Sequence, residues 1–353
     1  MPPRRRKRLD PSVFNLPVEQ IKQGYYSDVY FIRAREIVRQ DKRTPVVTMQ
    51  FSGKTDAWLS GIDECIAILK CCADDWSALT VNALYEGDRF EAWDTVLTIE
   101  GPYESFGHLE TVCLGALSRR TRVCTNAKLL CDAAQSKPVF FFGARDDLYV
   151  TQPGDGFAAM VGGVKMVSTE AQASLFGGKA VGTIPHALIA AFGGDTVKAT
   201  KKFADLYRDV EVIALVDYDN DSVKTSLDVA RALEDRLWGV RLDTSETMVD
   251  KSVVSQMGAF SPTGVNANLV WNVRNALDEE AFGDVRIIVS GGFDVRRITA
   301  FTEMQVAVDA YGVGAALFSG SYDFTADIVQ VNGKPESKTG RKLRENPRLE
   351  RVK

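Results

Sequence analysis

The stretch Ala180-Val-Gly-Thr-Ile-Pro-His-Ala-Leu-Ile-Ala-Ala-Phe-Gly-Gly-Asp195 has the pattern of one strand followed by one helix. It predicts the end of a short buried strand, a turn, and an apolar helix. Pro185 suits the first turn of that helix, because a missing N–H costs nothing there. His186 lies at the turn and is one of two histidines in 353 residues. The stretch alone leaves two interpretations open: a reactive histidine reached by solvent, or a helix-start histidine bonded to a neighbouring carbonyl.

The same alternation of short apolar runs and longer helical patterns continues on both sides, beyond residue 137. The runs predict strands at 139–142, 180–182, 212–216, 239–242, 285–289 and 313–317. Apolar spacings of three and four predict helices at 155–176, 185–207, 221–237, 265–281 and 295–311. Parallel strands need crossovers of about a dozen residues or more, which these gaps provide. We therefore predict repeated β/α units whose parallel sheet is closed or nearly closed into a barrel.

The first part of the chain has an α+β pattern instead. Residues 46–51 and 93–99 alternate like half-buried antiparallel strands, 57–72 predicts a helix between them, and 108–134 has helical spacing. The fold class is accordingly α/β, an irregular (β/α) barrel with an N-terminal α+β domain. The predicted domains are 1–135, which includes a helical linker, 136–330 for the barrel, and a C-terminal tail at 331–353 that packs back on the N-terminal domain.

Composition narrows the class of protein. Apolar residues make up 45% of the chain, enough for a sizeable core. Since there is no run of 18 apolar residues and no signal-like segment, we expect a cytoplasmic chain that uses no membrane. The six cysteines lack paired CxxC spacing and fall within predicted helices, which favours buried thiols over metal ligands or disulfides. A net charge of −4 argues against nucleic-acid binding, and the basic cluster 4–8 predicts a solvated tail.

Polar or glycine residues follow every predicted strand of the barrel. In a β/α barrel the carboxyl ends of the strands form the mouth where active sites are built. One such residue is usually a solvated loop or a helix cap, but six consecutive strand ends favour a site. The residues are Arg145 and Asp146, Thr183 and His186, Asp217 and Asp219, Arg241 and Asp243, Ser290 with Gly291 and Gly292, and the glycine-rich run 314–320.

These residue types favour an anionic ligand. Val289-Ser-Gly-Gly-Phe-Asp294 and Tyr311-Gly-Val-Gly314 predict turns whose backbone N–H groups bind phosphate. Arg145 and Arg241 suit carboxylate or phosphate. Asp217, Asp219 and Asp243 suit sugar hydroxyls or Mg²⁺. We expect a sugar phosphate bound with magnesium.

A separate segment, 21–31, is unusually aromatic for a surface loop. Asp28 and Tyr30 place a carboxylate and a ring two residues apart. The favoured interpretation from the residues alone is a strand or helix edge with Tyr30 in the core, and the alternative is a binding segment.

Together these segments resemble the nicotinate phosphoribosyltransferases, which belong with the nicotinamide and quinolinate enzymes among the type II phosphoribosyltransferases. The resemblance covers most of the chain. It is carried by Ser27-Asp-Val-Tyr-Phe31, Phe142-Gly-Ala-Arg145, Gly182-Thr-Ile-Pro-His186, Val240-Arg-Leu-Asp-Thr-Ser245, Val289-Ser-Gly-Gly292 and Tyr311-Gly-Val-Gly314.

The resemblance implies a reaction of nicotinate with phosphoribosyl pyrophosphate, bound with Mg²⁺, that gives nicotinate mononucleotide and pyrophosphate. It implies ATP as a co-substrate, hydrolysed through phosphorylation of His186, and a homodimer with shared sites or a higher oligomer. It assigns catalytic roles to His186, Asp243 and Arg241, substrate binding to Asp28, Tyr30, Phe142, Arg145 and Thr183, and phosphate binding to Ser290, Gly291, Gly292, Gly312, Gly314 and Lys338.

Three alternatives remain open. A quinolinate enzyme would need more cations around the ring than Arg145 alone. Related enzymes that prefer the amide carry an aspartate just before the Gly182-Thr183 step, which 177–181 lacks, so the sequence favours the acid over nicotinamide. The third alternative is a catalytically silent metabolite-binding protein, against which the retained His186 and Asp243 argue.

One residue departs from the family pattern. Ala187 replaces a serine that is common in the family directly after the histidine.

Overall fold

A computed structural model of the chain describes residues 7–258 and 260–352. Its strands are β1 (Val46–Gly53), β2 (Ala57–Trp58), β3 (Thr80–Ala83), β4 (Arg89–Phe90), β5 (Thr95–Pro102), β6 (Val139–Phe141), β7 (Met166–Val167), β8 (Val212–Leu215), β9 (Leu237–Leu242), β10 (Arg286–Val289), β11 (Ala310–Val313), β12 (Phe324–Val331), β13 (Lys334–Pro335) and β14 (Glu350–Arg351). Its α-helices are α1 (Val18–Lys22), α2 (Val29–Gln40), α3 (Ile62–Cys72), α4 (Tyr103–Phe106), α5 (Glu110–Ala134), α6 (Gln152–Val161), α7 (Glu170–Ala173), α8 (His186–Ala191), α9 (Thr196–Leu206), α10 (Ser222–Leu233), α11 (Ala267–Glu279) and α12 (Val295–Glu303).

The chain divides into two compact units. Unit 1 consists of residues 1–126, 157–162 and 318–353, and unit 2 of residues 127–156 and 163–317. Unit 1 is therefore discontinuous, because it takes segments from both ends of the sequence.

Unit 1 contains a six-stranded sheet in the order β13-β12-β1-β5-β3-β14. The two segments predicted as antiparallel strands are β1 and β5, and they pair with each other, with Phe51 opposite Leu97. On its other side β1 pairs with β12, from the far end of the chain. Apolar side chains of β1, β5, α3 and the start of α5 form the core of the unit.

The N-terminal segment is held on unit 1. Arg8 donates from Nη1 to Asp63 Oδ1 at 3.0 Å, and from Nη2 to the carbonyls of Ala83 and Leu84. For Arg8 the predicted solvated tail is therefore wrong, while residues 4–6 of the basic cluster lie outside the described residues. Asp63, the partner of Arg8, is itself held in place by Glu86. The Glu86 carboxylate accepts a hydrogen bond from the backbone N–H of Asp63, in the first turn of α3.

Unit 2 contains a six-stranded parallel sheet in the order β7-β6-β11-β10-β9-β8. The predicted barrel is only partly correct. The sheet is a curled half-barrel. Within the part of the chain that the structure describes, its two end strands, β7 and β8, are not paired with each other, so the sheet does not close. The predicted strand 180–182 is reduced to one bridge between Ala180 and Val167. Its glycine-rich surroundings explain this, because glycine supplies no side chain to pack in a sheet.

Several predicted helices are interrupted at glycines. The predicted helix 185–207 is two helices, α8 and α9, separated by Gly193 and Gly194 at φ of 71° and 88°. The predicted helix 155–176 is divided into α6, β7 and α7; α6 ends at Val161, and Gly163 follows with a φ of 111°. The predicted helix 295–311 is shorter than predicted and ends at Glu303, and the last strand, β11, begins at Ala310, earlier than the predicted 313–317.

The predictions of α5 and of buried thiols agree with the structure. The helical spacing of 108–134 corresponds to α5. All six cysteines are free, and four of them, Cys65, Cys72, Cys113 and Cys124, are buried.

Candidate active site

The carboxyl ends of the unit 2 strands carry a connected polar cluster centred on Arg241. This residue lies on β9, where it pairs with Ile288 of β10 and Leu215 of β8. Its guanidinium donates from Nε to Ser290 Oγ at 2.9 Å, from Nη1 to Thr183 Oγ1 at 2.7 Å, and from Nη2 to Asp243 Oδ2 at 2.7 Å. The structure thus joins four predicted site residues that come from three separate segments.

The Asp243 carboxylate is held from both sides. Ser290 Oγ donates to Asp243 Oδ1 at 2.7 Å, while Oδ2 accepts from Arg241. The Arg241 and Asp243 side chains are 16% and 17% exposed, so the ion pair is largely shielded but reachable at the sheet edge. Hydrogen bonds that involve charged groups are the stronger class, and this network fixes the orientation of both side chains.

His186 is the first residue of α8 and faces Asp217, at the end of β8. The two side chains approach at 3.1 Å between Nε2 and Asp217 Oδ1. The predicted alternative of a bond to a neighbouring carbonyl is therefore wrong, since the partner is a carboxylate. The histidine side chain is 46% exposed and that of Asp217 only 7%. Burial raises the pKa of Asp217, the charge of Asp243 adds to the increase, and His186 opposes it.

Asp219, the other aspartate after β8, is exposed two residues further along. Its side chain has no hydrogen bond or ion pair to another described residue. Its predicted share in a magnesium site stays a prediction.

The two predicted phosphate turns have the close contacts that require glycine. Gly291 and Gly292 have φ of 84° and 70°, in the left-handed region. A Cβ at Gly312 would lie 2.6 Å from the ring of Phe142, and one at Gly314 would lie 2.6 Å from Asp146 Oδ2. Each glycine therefore lets another site segment approach the backbone.

The start of α12, which follows the first glycine turn, already has an acidic partner. Asp294 Oδ1 accepts from the backbone N–H of Arg297 at 2.8 Å. This cap occupies part of the positive N-terminal end of α12, where the sequence predicts that a phosphate binds. The N–H groups of the glycine turn itself remain the candidate donors to phosphate.

A cavity of about 240 Å³ lies inside the half-barrel. The aromatic and apolar side chains of Phe140, Phe142, Met166 and Trp238 line it, together with the segment 179–183. Four residues in or just before β8 complete the lining: Asp209, Val210, Glu211 and Ile213. The Arg241 guanidinium lies 5.3 Å from the centre of the Phe142 ring. The flat apolar walls suit a small aromatic ring, and the charged part of the lining consists of one cation, Lys179, and two carboxylates, Asp209 and Glu211.

Of the two cations considered for the ring, one lines this cavity and the other does not. Lys179 is a lining residue. Arg145 is the last residue of a short 3-10 turn (Gly143–Arg145), is exposed, and is not among the lining residues. Sequence reasoning missed Lys179 and Trp238. Lys179 stands in the glycine-rich segment before Thr183, which was a signal; Trp238 lies within a strand with nothing in its spacing to mark it.

The remaining predicted site residues belong to unit 1. Tyr30 is 61% exposed, so the favoured interpretation of a core tyrosine is wrong. Asp28 accepts a hydrogen bond from Thr111 Oγ1 at 2.8 Å. Lys338 is exposed and its carbonyl accepts from the N–H of Arg341. Their roles in a shared site stay predictions.

Two further observations concern residues 7–258 and 260–352. No three His, Cys, Asp or Glu side chains in these ranges are grouped so that they could hold a metal ion by themselves. No helix in them is both long and apolar enough to cross a bilayer.

The chain is similar to known pyridine-nucleotide enzymes. Residues 28–121 match the family model for the N-terminal domain of quinolinate phosphoribosyl transferase. The structure of nicotinate-nucleotide pyrophosphorylase from Pyrococcus furiosus is 35% identical, with a TM-score of 0.80, over 94% of this chain and 81% of that one. Human nicotinic acid phosphoribosyltransferase shares the fold, with a TM-score of 0.70 at 18% identity, over 88% of this chain and 76% of that one.

A curated relative is similar over a shorter part of its length. Nicotinate phosphoribosyltransferase of Bacillus subtilis strain 168 is 25% identical over 285 residues, which are 74% of this chain and 54% of the relative. The chain thus spans about half the length of the curated relatives it matches.

Proposed function

Because this chain belongs to the nicotinate phosphoribosyltransferase family of type II phosphoribosyltransferases, we propose that it converts nicotinate and phosphoribosyl pyrophosphate into nicotinate mononucleotide and pyrophosphate. In this reaction the pyridine nitrogen forms a bond to the anomeric carbon of the sugar as the bond to pyrophosphate breaks. The proposal places the protein in the synthesis or salvage of pyridine nucleotides.

The observation that carries the proposal is the network of Arg241, Asp243, Ser290 and Thr183 at one sheet edge. The sugar becomes cationic as pyrophosphate leaves, so a fixed carboxylate such as Asp243 stabilises the transition state more than the ground state. Arg241 and the Gly291-Gly292 turn bind the anionic groups. Catalysis is then mainly positioning and electrostatic stabilisation.

The cavity beside this network supplies the proposed ring site. Phe142 offers a flat face to the pyridine ring, and Arg145 and Lys179 are the cations available for a ring carboxylate. A cation near the ring favours nicotinate over its neutral amide.

The donor set fits Mg²⁺ that is held in part by substrate phosphates. Asp217 and Asp243 are close enough for the charge of Asp243 to raise the pKa of Asp217, and a cation between them would relieve that repulsion. Magnesium is usually held by one or two carboxylates together with phosphates and water. When bound, it would neutralise charge on the leaving pyrophosphate.

We propose that ATP hydrolysis is coupled through His186. The half-exposed His186 imidazole lies 3.1 Å from Asp217 through Nε2, and in the tautomer that donates Nε2–H to this carboxylate the ring lone pair is at Nδ1. Attack on the γ-phosphorus of ATP would form an N–P bond and release ADP, and water would later cleave that bond to phosphate. The rival role is a histidine that only binds pyrophosphate.

The proposed assembly is a homodimer in which Asp28 and Tyr30 of one protomer complete the site of its partner. The exposure of Tyr30 supports this, because an aromatic side chain outside the core is available to stack on a ring.

Quinolinate phosphoribosyl transfer is the second candidate, since the matching family model over 28–121 is named for that enzyme. The test is product analysis with nicotinate, nicotinamide and quinolinate, each with Mg²⁺ and phosphoribosyl pyrophosphate. We expect nicotinate mononucleotide from nicotinate without carbon dioxide. Carbon dioxide release from quinolinate at a higher kcat/KM would favour the second candidate, and no turnover of any of the three would refute both.

A further inference from the structure

The start of α2 is bonded to the start of α5 through the side chain and the backbone of Asp28. Asp28 occupies the N-cap position of α2, where an aspartate ordinarily accepts from the N–H groups of the first turn. Its side chain makes no such bond. Instead, Asp28 Oδ2 accepts from Thr111 Oγ1 at 2.8 Å, and Thr111 Oγ1 accepts from the Asp28 backbone N–H at 3.1 Å. One hydroxyl thereby fixes both the backbone and the carboxylate of Asp28.

A second bond strengthens the attachment. Ser27 Oγ donates to the carbonyl of His108 at 2.5 Å. Both residues that precede α2 are therefore bonded to the segment 108–111, which leads into α5.

Apolar packing contributes little at the first two residues of α2, because its half-buried apolar side chains, Phe31, Ile32, Ala34 and Val38, come after Tyr30. Val29 and Tyr30 are 59% and 61% exposed. The first residues of the helix therefore depend on polar contacts, and those to 108–111 lie at the end of the helix that carries Tyr30.

The charges around this contact link Tyr30 to the same segment. Partial desolvation raises the pKa of the Tyr30 hydroxyl, and the charges of Asp28 and Glu110 add to the increase. Tyr30, two residues after Asp28, therefore lies within the electrostatic influence of the carboxylate that Thr111 holds.

From these contacts we infer that Thr111 is a positioning residue, which orients Asp28 and Tyr30 for the pyridine ring. The inference rests on the proposed function, because it takes these two residues to be substrate contacts. Thr111 itself touches no substrate; it acts through Asp28.

The test compares Thr111→Val, which keeps the shape but removes the hydroxyl, with Thr111→Ser, which keeps the hydroxyl. Thr111→Val should raise the KM for nicotinate about tenfold, equivalent to about 1.4 kcal/mol. Its kcat and its KM for phosphoribosyl pyrophosphate should stay within twofold of wild type, and Thr111→Ser should restore the nicotinate KM. Ser118→Ala is the matched control, because it removes a hydroxyl of α5 that bonds to no described residue.

A second measurement does not depend on turnover. Amide hydrogen exchange of residues 25–32 should accelerate in Thr111→Val and remain at the wild-type rate in Ser118→Ala and Thr111→Ser. Unchanged exchange would overturn the inference, as would a lower kcat with an unchanged nicotinate KM, which indicates only a loss of folded enzyme. A wild-type protein that makes no nicotinate mononucleotide would instead refute the proposed function, and the exchange result would still decide whether Thr111 anchors this segment.

Discussion

Replacement of Arg241 by methionine tests the central network most directly. Methionine keeps an unbranched apolar stem but removes the guanidinium that bonds to Ser290, Thr183 and Asp243. Asp243 would keep only the Ser290 hydroxyl as a partner. The variant therefore asks how much the oriented guanidinium contributes to both stability and catalysis.

The structure sets the magnitude. A hydrogen bond to a charged group contributes about 1.5–3 kcal/mol, so three independent bonds would give roughly 4–9 kcal/mol. They share one guanidinium, and side chains that are 16% and 17% exposed let water replace part of the loss. Removal of one partner of a buried ion pair costs about 3–5 kcal/mol. We expect the free energy of unfolding of unit 2 to fall by about 3 kcal/mol and kcat/KM to fall by at least about 100-fold.

Arg286→Met is the matched control, because Arg286 is the first residue of β10 and lies at the amino end of the strands, away from the network at their carboxyl ends. It stacks on Trp238 at 4.8 Å and should contribute only about 0.5–1 kcal/mol. Urea unfolding would be combined with hydrogen exchange of peptides covering 237–243 and 286–293, with 46–53 of unit 1 as reference. Equal stability and equal exchange in the two variants, with kcat/KM retained in Arg241→Met, would refute the reasoning.

Four further predictions follow from the site and from unit 1. Arg145→Ala should raise the nicotinate KM by about 30-fold or more, as for a lost charged contact of about 2–5 kcal/mol; an unchanged KM in folded protein would remove Arg145 from the site. Mixing inactive Tyr30→Ala and Asp243→Ala chains should restore part of the activity if sites are shared, whereas continued inactivity after demonstrated subunit exchange would place each site within one chain. His186→Ala should abolish ATP hydrolysis but leave slow transfer, and wild-type protein incubated with γ-labelled ATP should carry an acid-labile, base-stable label; its absence would exclude the phosphohistidine. Burial and a neighbouring carboxylate raise the pKa of Glu86 from 4.5 to about 7, so its contribution to stability is greatest below pH 4.5 and is lost as the pH rises through 7. Urea unfolding between pH 5 and 7 should show this loss of roughly 1–3 kcal/mol in wild type and a flatter profile in Glu86→Gln.

Sequence periodicity predicted most of the elements of unit 2, because strands and helices alternate there with distinct spacings. It failed at 180–182, where an apolar run is flanked by glycines and pairs through one bridge only. It also merged α8 with α9, since Gly193 and Gly194 fit an apolar helical pattern but adopt left-handed conformations. Local patterns do not report whether a sheet closes, since closure depends on pairing between distant strands.

The proximity of three predicted site residues could be predicted from the order of the strands. Arg241 lies near the end of β9, and Asp243 and Ser290 directly follow β9 and β10. Parallel neighbouring strands bring their carboxyl ends together, so the order of the strands predicted the proximity of these residues. The contact between Asp28 and Thr111 could not be predicted, because 83 residues separate them and neither spacing nor charge pattern marks the pair.

The discontinuous sheet of unit 1 has a consequence for synthesis on the ribosome. Strand β1 has buried Val47, Met49 and Phe51, but its partner β12 is translated roughly 270 residues later. At about 5–20 residues per second, one edge of β1 stays unpaired for roughly 15–50 s. An apolar strand with an open edge is a template for pairing with other nascent chains, so this interval is when the chain is most exposed to mispairing at β1.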